Sequence, residues 1–265
     1  MINKNAILKQ YASFIDADGL FLKTLDNLVD TEAYFETNIS DFLTPDLIYC
    51  FEQMASKYAD EIICEKFGGF NGAERAKLIF RTEYSEPVLP HNSVGLLEIT
   101  YNTKFNKIEH KDVLGALMAL GIKREKIGDI VITDNCAQVL VSKELEDYIC
   151  MHLEQVGRAA VSINRIPLEQ ATEKCVDTKE TMTTVKSLRL DAIIAAGYNL
   201  SRSETQKLIE SERVKVNHQI CAKTDHQLDQ NDMISVRGFG RMVLNSIEGT
   251  TKKERIRVIL SLYKR

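Results

Sequence analysis

The chain has little of what most site chemistries need. Its six cysteines, at 50, 64, 136, 150, 175 and 221, include no C-x-x-C pair. That excludes a zinc knuckle and leaves them as reduced thiols. The five histidines, at 91, 110, 152, 218 and 226, show no metal-ligand spacing, so neither a metal nor any other cofactor is expected. No apolar run reaches the roughly 20 residues that span a bilayer. MINKNAILKQYASF at the N-terminus has no long apolar segment and no cleavage site. A cytoplasmic protein with no membrane partner is the expectation. Gly68-Gly69 is not followed by the lysine of a phosphate loop and reads as a tight turn. Net positive charge is missing too: 34 basic against 38 acidic residues give −4, which by itself would not suggest a polyanionic partner.

That average hides an asymmetry. From Thr181 to Arg265 there are seven Lys and eight Arg against four Asp and five Glu, whereas the first 180 residues carry 19 basic and 29 acidic side chains. A polyanion is repelled by the first part and attracted by the last third. Charge alone fits a solvated basic face equally well, so residue order has to decide. Leu190, Ile193 and Ile194 fall at helical spacing after Ser187, with Gly197 placed to end the helix in a left-handed cap. Ser201-Arg202-Ser203-Glu204 has the form of a capping box and starts a second helix, whose apolar stripe is Leu208 and Ile209. On its other flank, Arg202 with Gln206 and Ser203 with Lys207 are i, i+4 pairs that offer cations and hydrogen bonds together. Val214-Lys215-Val216-Asn217 alternates, turning both valines inward and Lys215 and Asn217 outward. After a turn at Asp229 to Asp232, Met233 to Arg237 reads as a second strand, and the unit closes on Arg237-Gly238-Phe239-Gly240-Arg241. Two arginines and an aromatic among glycines suit close approach to a phosphate backbone and stacking on a base; the alternative is a glycine-rich turn with incidental arginines.

In order and spacing, these pieces resemble the S4 RNA-binding domain. More narrowly, SLRLD, the SRS of the second helix, VKVN and RGFGR resemble the YlmH family of bacterial S4-domain proteins, and the upstream GGF at 68 to 70 and AER at 73 to 75 recur in that family. The resemblance implies a surface of two short helices and the adjacent strand that grips the backbone of a folded RNA. Position by position it implies Arg189, Asp191, Ser201, Arg202, Ser203, Gln206, Lys207, Lys215 and Asn217 as RNA-binding residues. Arg237 and Arg241 join them from the reading of RGFGR. A carboxylate facing phosphate is unfavourable, so Asp191 is expected to orient Arg189 or a neighbouring amide. Many S4 domains follow VN with glycine, whereas His218 stands here.

Upstream, residues 171–186, ATEKCVDTKETMTTVK, contain no sustained apolar period and read as a linker. Before them the predicted order is strand 94–101, helix 110–120, strands 129–132 and 137–141, helix 144–156 and strand 162–168. That is the split βαββαβ unit, which is also the topology of the RNA-recognition motif. Its usual stacking platform is missing: the third strand, Ala-Gln-Val-Leu-Val, has no aromatic, and the first has only Tyr101 near its end. A supporting or docking role is expected. Residues 4–14, 21–29 and 46–67 have helical spacing, the last behind Pro45, and 77–81 reads as strand. The whole is expected to be α+β in three modules: an N-terminal α/β domain at 1–86, an RRM-like domain at 87–170, and, after the linker, an S4 (αL-like) domain at 187–265 ending in a β-hairpin. On that hairpin Arg255 and Arg257 lie opposite the apolar residues, as an extension of the basic surface or as a solvated outer face.

Two enzyme groups carry S4 domains, and neither signature is here. Pseudouridine synthases continue Arg-Leu-Asp with Thr-Ser-Gly, whereas Asp191 is followed by Ala192-Ile193-Ile194. The adenylate-binding loops of tyrosyl-tRNA synthetases, His-Ile-Gly-His-like and Lys-Met-Ser-Lys-like, do not occur. A monomeric, non-enzymatic protein is expected. What the YlmH resemblance implies is binding of rRNA and tRNA on a large ribosomal subunit with a stalled nascent chain, supporting template-free tail elongation in ribosome-associated quality control. Residues 1–170 are then available to protein partners. The resemblance also implies an alternative, a protein-interaction factor in bacterial cell division that works through the acidic N-terminal region.

Overall fold

Spacings of three and four residues between apolar side chains in the first third of the chain place helices, and the computed structural model describes residues 2–15, 19–58, 60–172, 178–251 and 254–263. Helices α1 (Lys4–Gln10), α2 (Leu20–Tyr34) and α3 (Pro45–Ser56) bury Ile7, Phe21, Leu25, Leu28, Ile48, Phe51 and Met54. They pack with a small antiparallel sheet of β1 (Asn38–Ile39), β2 (Ile63–Phe67) and β3 (Lys77–Arg81), in the order β1-β3-β2. The helix predicted over 46–67 is therefore two elements. It ends at Ser56, and Ile63–Phe67 pairs with β3 from Ile63↔Arg81 to Phe67↔Lys77. The apolar pattern runs on across the break, but hydrogen bonding to β3, braced by a diagonal Arg81–Glu65 ion pair at 2.7 Å, outweighs helical continuation.

The next elements follow the predicted order, β4 (Val94–Tyr101), α4 (His110–Ala119), β5 (Ile127–Ile132), β6 (Cys136–Ser142), α5 (Glu146–His152), β7 (Gln155–Val156) and β8 (Ala159–Ile166). The sheet is antiparallel in the order β5-β6-β4-β8-β7. The helix predicted over 144–156 is shorter, because its last residues, Gln155 and Val156, are drawn into β7. Leu97, Ile99, Val139 and Val141 form one sheet face, buried with Val113 and Leu117 of α4 and Ile149 of α5.

The opposite sheet face, which an RNA-recognition motif leaves open for bases, is covered here. Val94, Leu96 and Leu140 are buried there with Phe42 of the N-terminal module, and Phe67, Phe70, Leu168 and Ala171 pack against them. Gln138, on the same face, donates to the Gln170 carbonyl at 3.2 Å and accepts from the Thr172 amide at 2.7 Å. Gly69 shows how tightly the cover fits. Its φ is +96°, and a Cβ there would stand 2.1 Å from Leu140 Cδ2. Gly69→Ala is expected to cost roughly 3 kcal/mol through overpacking and backbone strain together, read as a lower urea midpoint.

Glu74 and Arg75 fasten the two modules. The amides of Glu74 and Arg75 donate to the Asp129 carboxylate of β5 at 2.7 and 3.1 Å. The buried Arg75 guanidinium donates to the carbonyls of Ile127 (3.0 Å) and Phe42 (2.7 Å). Burial, reinforced by nearby Arg124, pushes its pKa down to about 10 despite the opposing carboxylates. Asp41 adds ion pairs to Lys126 (2.8 Å) and Lys23 (2.5 Å). Burial alone would raise its pKa, but the two lysines overcome that and hold it low. Residues 1–174 thus form one compact unit, and the boundary expected at residue 86 divides two modules of a single body.

Residues 175–265 form a second unit: β9 (Thr178–Val185), α6 (Leu190–Tyr198), α7 (Arg202–Glu210), β10 (Val214–Val216), β11 (Gln219–Ile220), β12 (Met233–Val236), β13 (Gly240–Thr250) and β14 (Ile256–Tyr263). The sheet is antiparallel in the order β11-β10-β12-β13-β14-β9, so the predicted hairpin β13–β14 is present and gains a third strand. This corrects the linker predicted over 171–186. Residues 173–177 lie outside the described ones, but β9 pairs with β14 along its whole length, from Val185↔Ile256 to Thr178↔Tyr263. Only Val185 of the strand is buried, so apolar alternation could not reveal it; its four threonines are β-branched and suit an exposed edge. The unit's core gathers Leu190, Ile193, Ile194, Leu208, Ile209, Val214, Val216, Ile234, Val236, Met242 and Leu260. Gly197 does not cap α6. The left-handed residue is Asn199, φ +54°, while Gly197 lies inside the helix, where a Cβ would meet Met242 Cε at 2.8 Å.

Candidate nucleic-acid interface

The start of α7 is held by the predicted capping box. Ser201 Oγ accepts from the Glu204 amide at 3.2 Å, and the Ser201 amide donates to Glu204 Oε2 at 3.0 Å. The Ser201 hydroxyl also donates to Glu204 at 2.7 Å, so it is committed to the cap. These bonds hold the Glu204 carboxyl below its usual range. Arg202, Ser203, Gln206 and Lys207 are then presented to solvent along one rigid helix.

Beneath them sits Asp191, fully buried at 0% exposure. Arg189, the N-cap of α6, clasps it with a fork, Nε to Oδ1 at 3.0 Å and Nη2 to Oδ2 at 3.1 Å. Arg202, the first residue of α7, stands 3.5 Å from Oδ2. Burial alone would raise the pKa of Asp191, but the Arg189 hydrogen bond and the charges of both arginines overcome it and hold it below the carboxylate norm. Asp191 thereby orients Arg189 and is itself buried away from the surface. One carboxylate fixes the Arg189 guanidinium by two hydrogen bonds and pairs with that of Arg202 at the adjoining helix start, while the Arg202 side chain stays 68% exposed.

Asn217 and Lys215 do not join that flank. Asn217 and His218 have φ of +46° and +70° and make the two-residue turn from β10 to β11, His218 adopting the left-handed conformation without glycine. The Asn217 side chain donates to Asp232 Oδ1 at 2.7 Å and accepts from the Met233 amide at 2.9 Å, so it ties the turn to the following strand. Lys215 is exposed between buried Val214 and Val216 and therefore leaves the sheet on the side away from the helices. There it lines a cavity of about 600 Å³ with Arg213, Arg237 and Arg241. Phe239 is 37% exposed and leans on Tyr198, ring centroids 5.5 Å apart.

Three further basic residues belong to these surfaces. Lys186 and Arg255 line a groove with Arg202, Arg255 donating from Nε to Thr184 Oγ1 at 3.0 Å. Lys186 was hidden because its segment read as linker. Arg213 was legible in principle, since it immediately precedes β10 and lies two residues before Lys215.

Residues 89–170 match the family described as "Putative RNA-binding domain in YlmH", and residues 188–234 match the S4 domain family. Over 191 residues the chain is 39% identical to the Ribosome-associated protein quality control protein P2 of Bacillus subtilis (strain 168), covering 72% of this chain and 74% of that one. It is 29% identical over 96 residues to the Small ribosomal subunit protein uS4 of Buchnera aphidicola subsp. Schizaphis graminum (strain Sg), covering 35% of this chain and 47% of that one. Among solved structures, the Cell division protein ylmH from Streptococcus pneumoniae matches with a TM-score of 0.50 at 23% identity, over 60% of this chain and 96% of that one; this likeness speaks to the fold.

Proposed function

Because the chain belongs to the YlmH family of S4-domain proteins, we propose that it is a non-enzymatic RNA-binding protein that grips structured rRNA and tRNA on the large ribosomal subunit. There it supports template-free tail elongation on stalled nascent chains. The name of the Bacillus relative supports a ribosomal address and a place in quality control. The observation that carries the reading is the Arg189–Asp191–Arg202 lock at the head of an exposed, capped helix. Preset guanidinium groups lose little freedom on meeting phosphate oxygens, and Ser203, Gln206 and Lys207 extend the binding surface along the helix. Binding of this kind holds RNA in place and makes or breaks no bond.

The first unit fits a supporting role. Its part of the chain is acidic, and the sheet face that would carry bases is filled by its own side chains. We assign it to docking with protein partners, and the whole to a cytoplasmic monomer; no helix among the described residues is long and apolar enough to cross a membrane.

Arg202→Glu combined with Lys207→Glu in the full chain tests the reading. Co-sedimentation with large ribosomal subunits is expected to disappear, and the log-log salt slope of RNA binding to fall by roughly 0.7–0.9 for each phosphate that is no longer neutralised. Unchanged co-sedimentation refutes it.

A further inference from the structure

Helix α2 ends on a residue that backbone sterics disfavour. Its C-cap, Phe35, takes the left-handed conformation with φ +56°, a position where glycine or asparagine usually stands because a Cβ crowds the following carbonyl. The bulky ring gains little burial in return, being 56% exposed. Strain that packing does not offset points to a use at the surface.

Residues far along the chain hold this ring in place. The Phe35 carbonyl accepts from Ser85 Oγ at 2.8 Å, and Thr37 Oγ1 donates to the Glu86 carbonyl at 2.6 Å. These bonds bring the turn after β3 against the end of α2, where Tyr84 meets Phe35 edge to face with ring centroids 6.0 Å apart. Tyr84 is 82% exposed, and Tyr34, next to Phe35 in the chain, 67%. In an edge-to-face pair, one ring keeps both of its faces clear of the other. A braced group of exposed aromatic rings is the usual mark of a protein-docking surface.

Charge selects the occupant. Asp30, one helical turn before Tyr34, is exposed, as are Glu36, Glu83 and Glu86. Neither residues 24–56 nor residues 82–103 include a lysine or arginine, and Arg81, at the end of β3, is paired with Glu65. A nucleic acid is repelled from such a surface, and a second copy of the patch would set like charge against like. Arginine fits both parts of it, because a guanidinium stacks on an aromatic face and pairs with a carboxylate.

We propose that Tyr34, Phe35 and Tyr84 form a docking surface for a basic, arginine-bearing segment of a partner protein. The inference rests on the docking role given to the first unit above and supplies its location and chemistry.

The test uses the full chain, free of RNA, and a fluorescein-labelled peptide of alternating arginine and glycine, read by anisotropy. Phe35→Gly with Tyr84→Ala leaves every carboxylate in place, and its affinity for the peptide is expected to fall roughly tenfold, the scale of two exposed cation–π contacts. Glycine also relieves the left-handed strain, so the urea midpoint of the first unit should hold or rise. A midpoint that falls along with the affinity would mark the rings as packing groups and overturn the proposal. Glu83→Gln with Glu86→Gln should weaken binding as well and make it less sensitive to salt. Equal affinity of the ring variant and the unsubstituted chain, the result of a diffuse acidic surface, overturns the proposal. So does equal binding of a peptide with serine in place of arginine, or a self-association of the chain that the ring variant abolishes. Both variants keep Arg202 and Lys207, so binding of an RNA hairpin should not change. An unsubstituted chain that binds the hairpin but not the peptide overturns this proposal alone, whereas one that binds the peptide but no hairpin overturns the RNA-binding reading.

Discussion

Asp191→Asn, which removes a negative charge from beneath the proposed RNA surface, is expected to weaken RNA binding. Simple electrostatics predicts the opposite. The buried carboxylate sets the fork of Arg189 and lies 3.5 Å from the Arg202 Nε; an amide keeps the shape but neither the charge nor two acceptors for the guanidinium. The free energy of unfolding of the second unit should drop by about 3 kcal/mol, the scale for breaking a buried ion pair from one side. Its acid sensitivity should change as well. The folded-state pKa of Asp191 is depressed, so its contribution is complete above the unfolded carboxylate value near pH 4 and is lost as pH falls through the lower folded value. Urea titrations from pH 7 down to pH 2 should show this loss in the native chain and a flatter profile in the variant. Tighter RNA binding by Asp191→Asn would rule out the positioning role.

Arg75→Met is expected to lower the stability of the first unit by about 3 kcal/mol, since two buried carbonyls are deprived of charge-assisted donors at once. Methionine nearly fills the space, so the loss reports the hydrogen bonds to Ile127 and Phe42, not a cavity. In denaturant the transition of the first unit should move to lower midpoint while that of the second stays in place. A shift within about 0.5 kcal/mol, the size of an ordinary surface substitution, would show that the Arg75 side chain does not fasten the modules.

The parts of the site legible in the sequence are those written in local spacing. The Ser201–Glu204 cap and the Arg202, Gln206 and Lys207 flank need only helical geometry, and the charge argument about Asp191 needs only its neighbour two residues back. Lys215 illustrates the limit. Its outward direction followed from alternation, but which side of the sheet counts as outward relative to α7 depends on where the helices pack. Asn217 fails for another reason: its partner, Asp232, is 15 residues away in sequence, beyond β11. In the first unit, the missing aromatic platform was visible, whereas its coverage by Phe42, Phe67, Phe70 and residues 168 to 172 was not, because those groups come from outside the βαββαβ unit.

By itself, the sequence determined the α+β class, the βαββαβ order, the helix–helix–strand core of the S4 unit and the concentration of positive charge in the last third. Each of these rests on interactions between near neighbours or on composition, where period and propensity are sufficient. Only the tertiary structure decided that residues 1–174 are one body, that Thr178–Val185 is a strand, and that the basic residues divide between the helix side and the outer face of one sheet. Pairing and burial between segments far apart in sequence leave no period in either segment, and a threonine-rich edge strand or a buried arginine takes its meaning from the partner it meets.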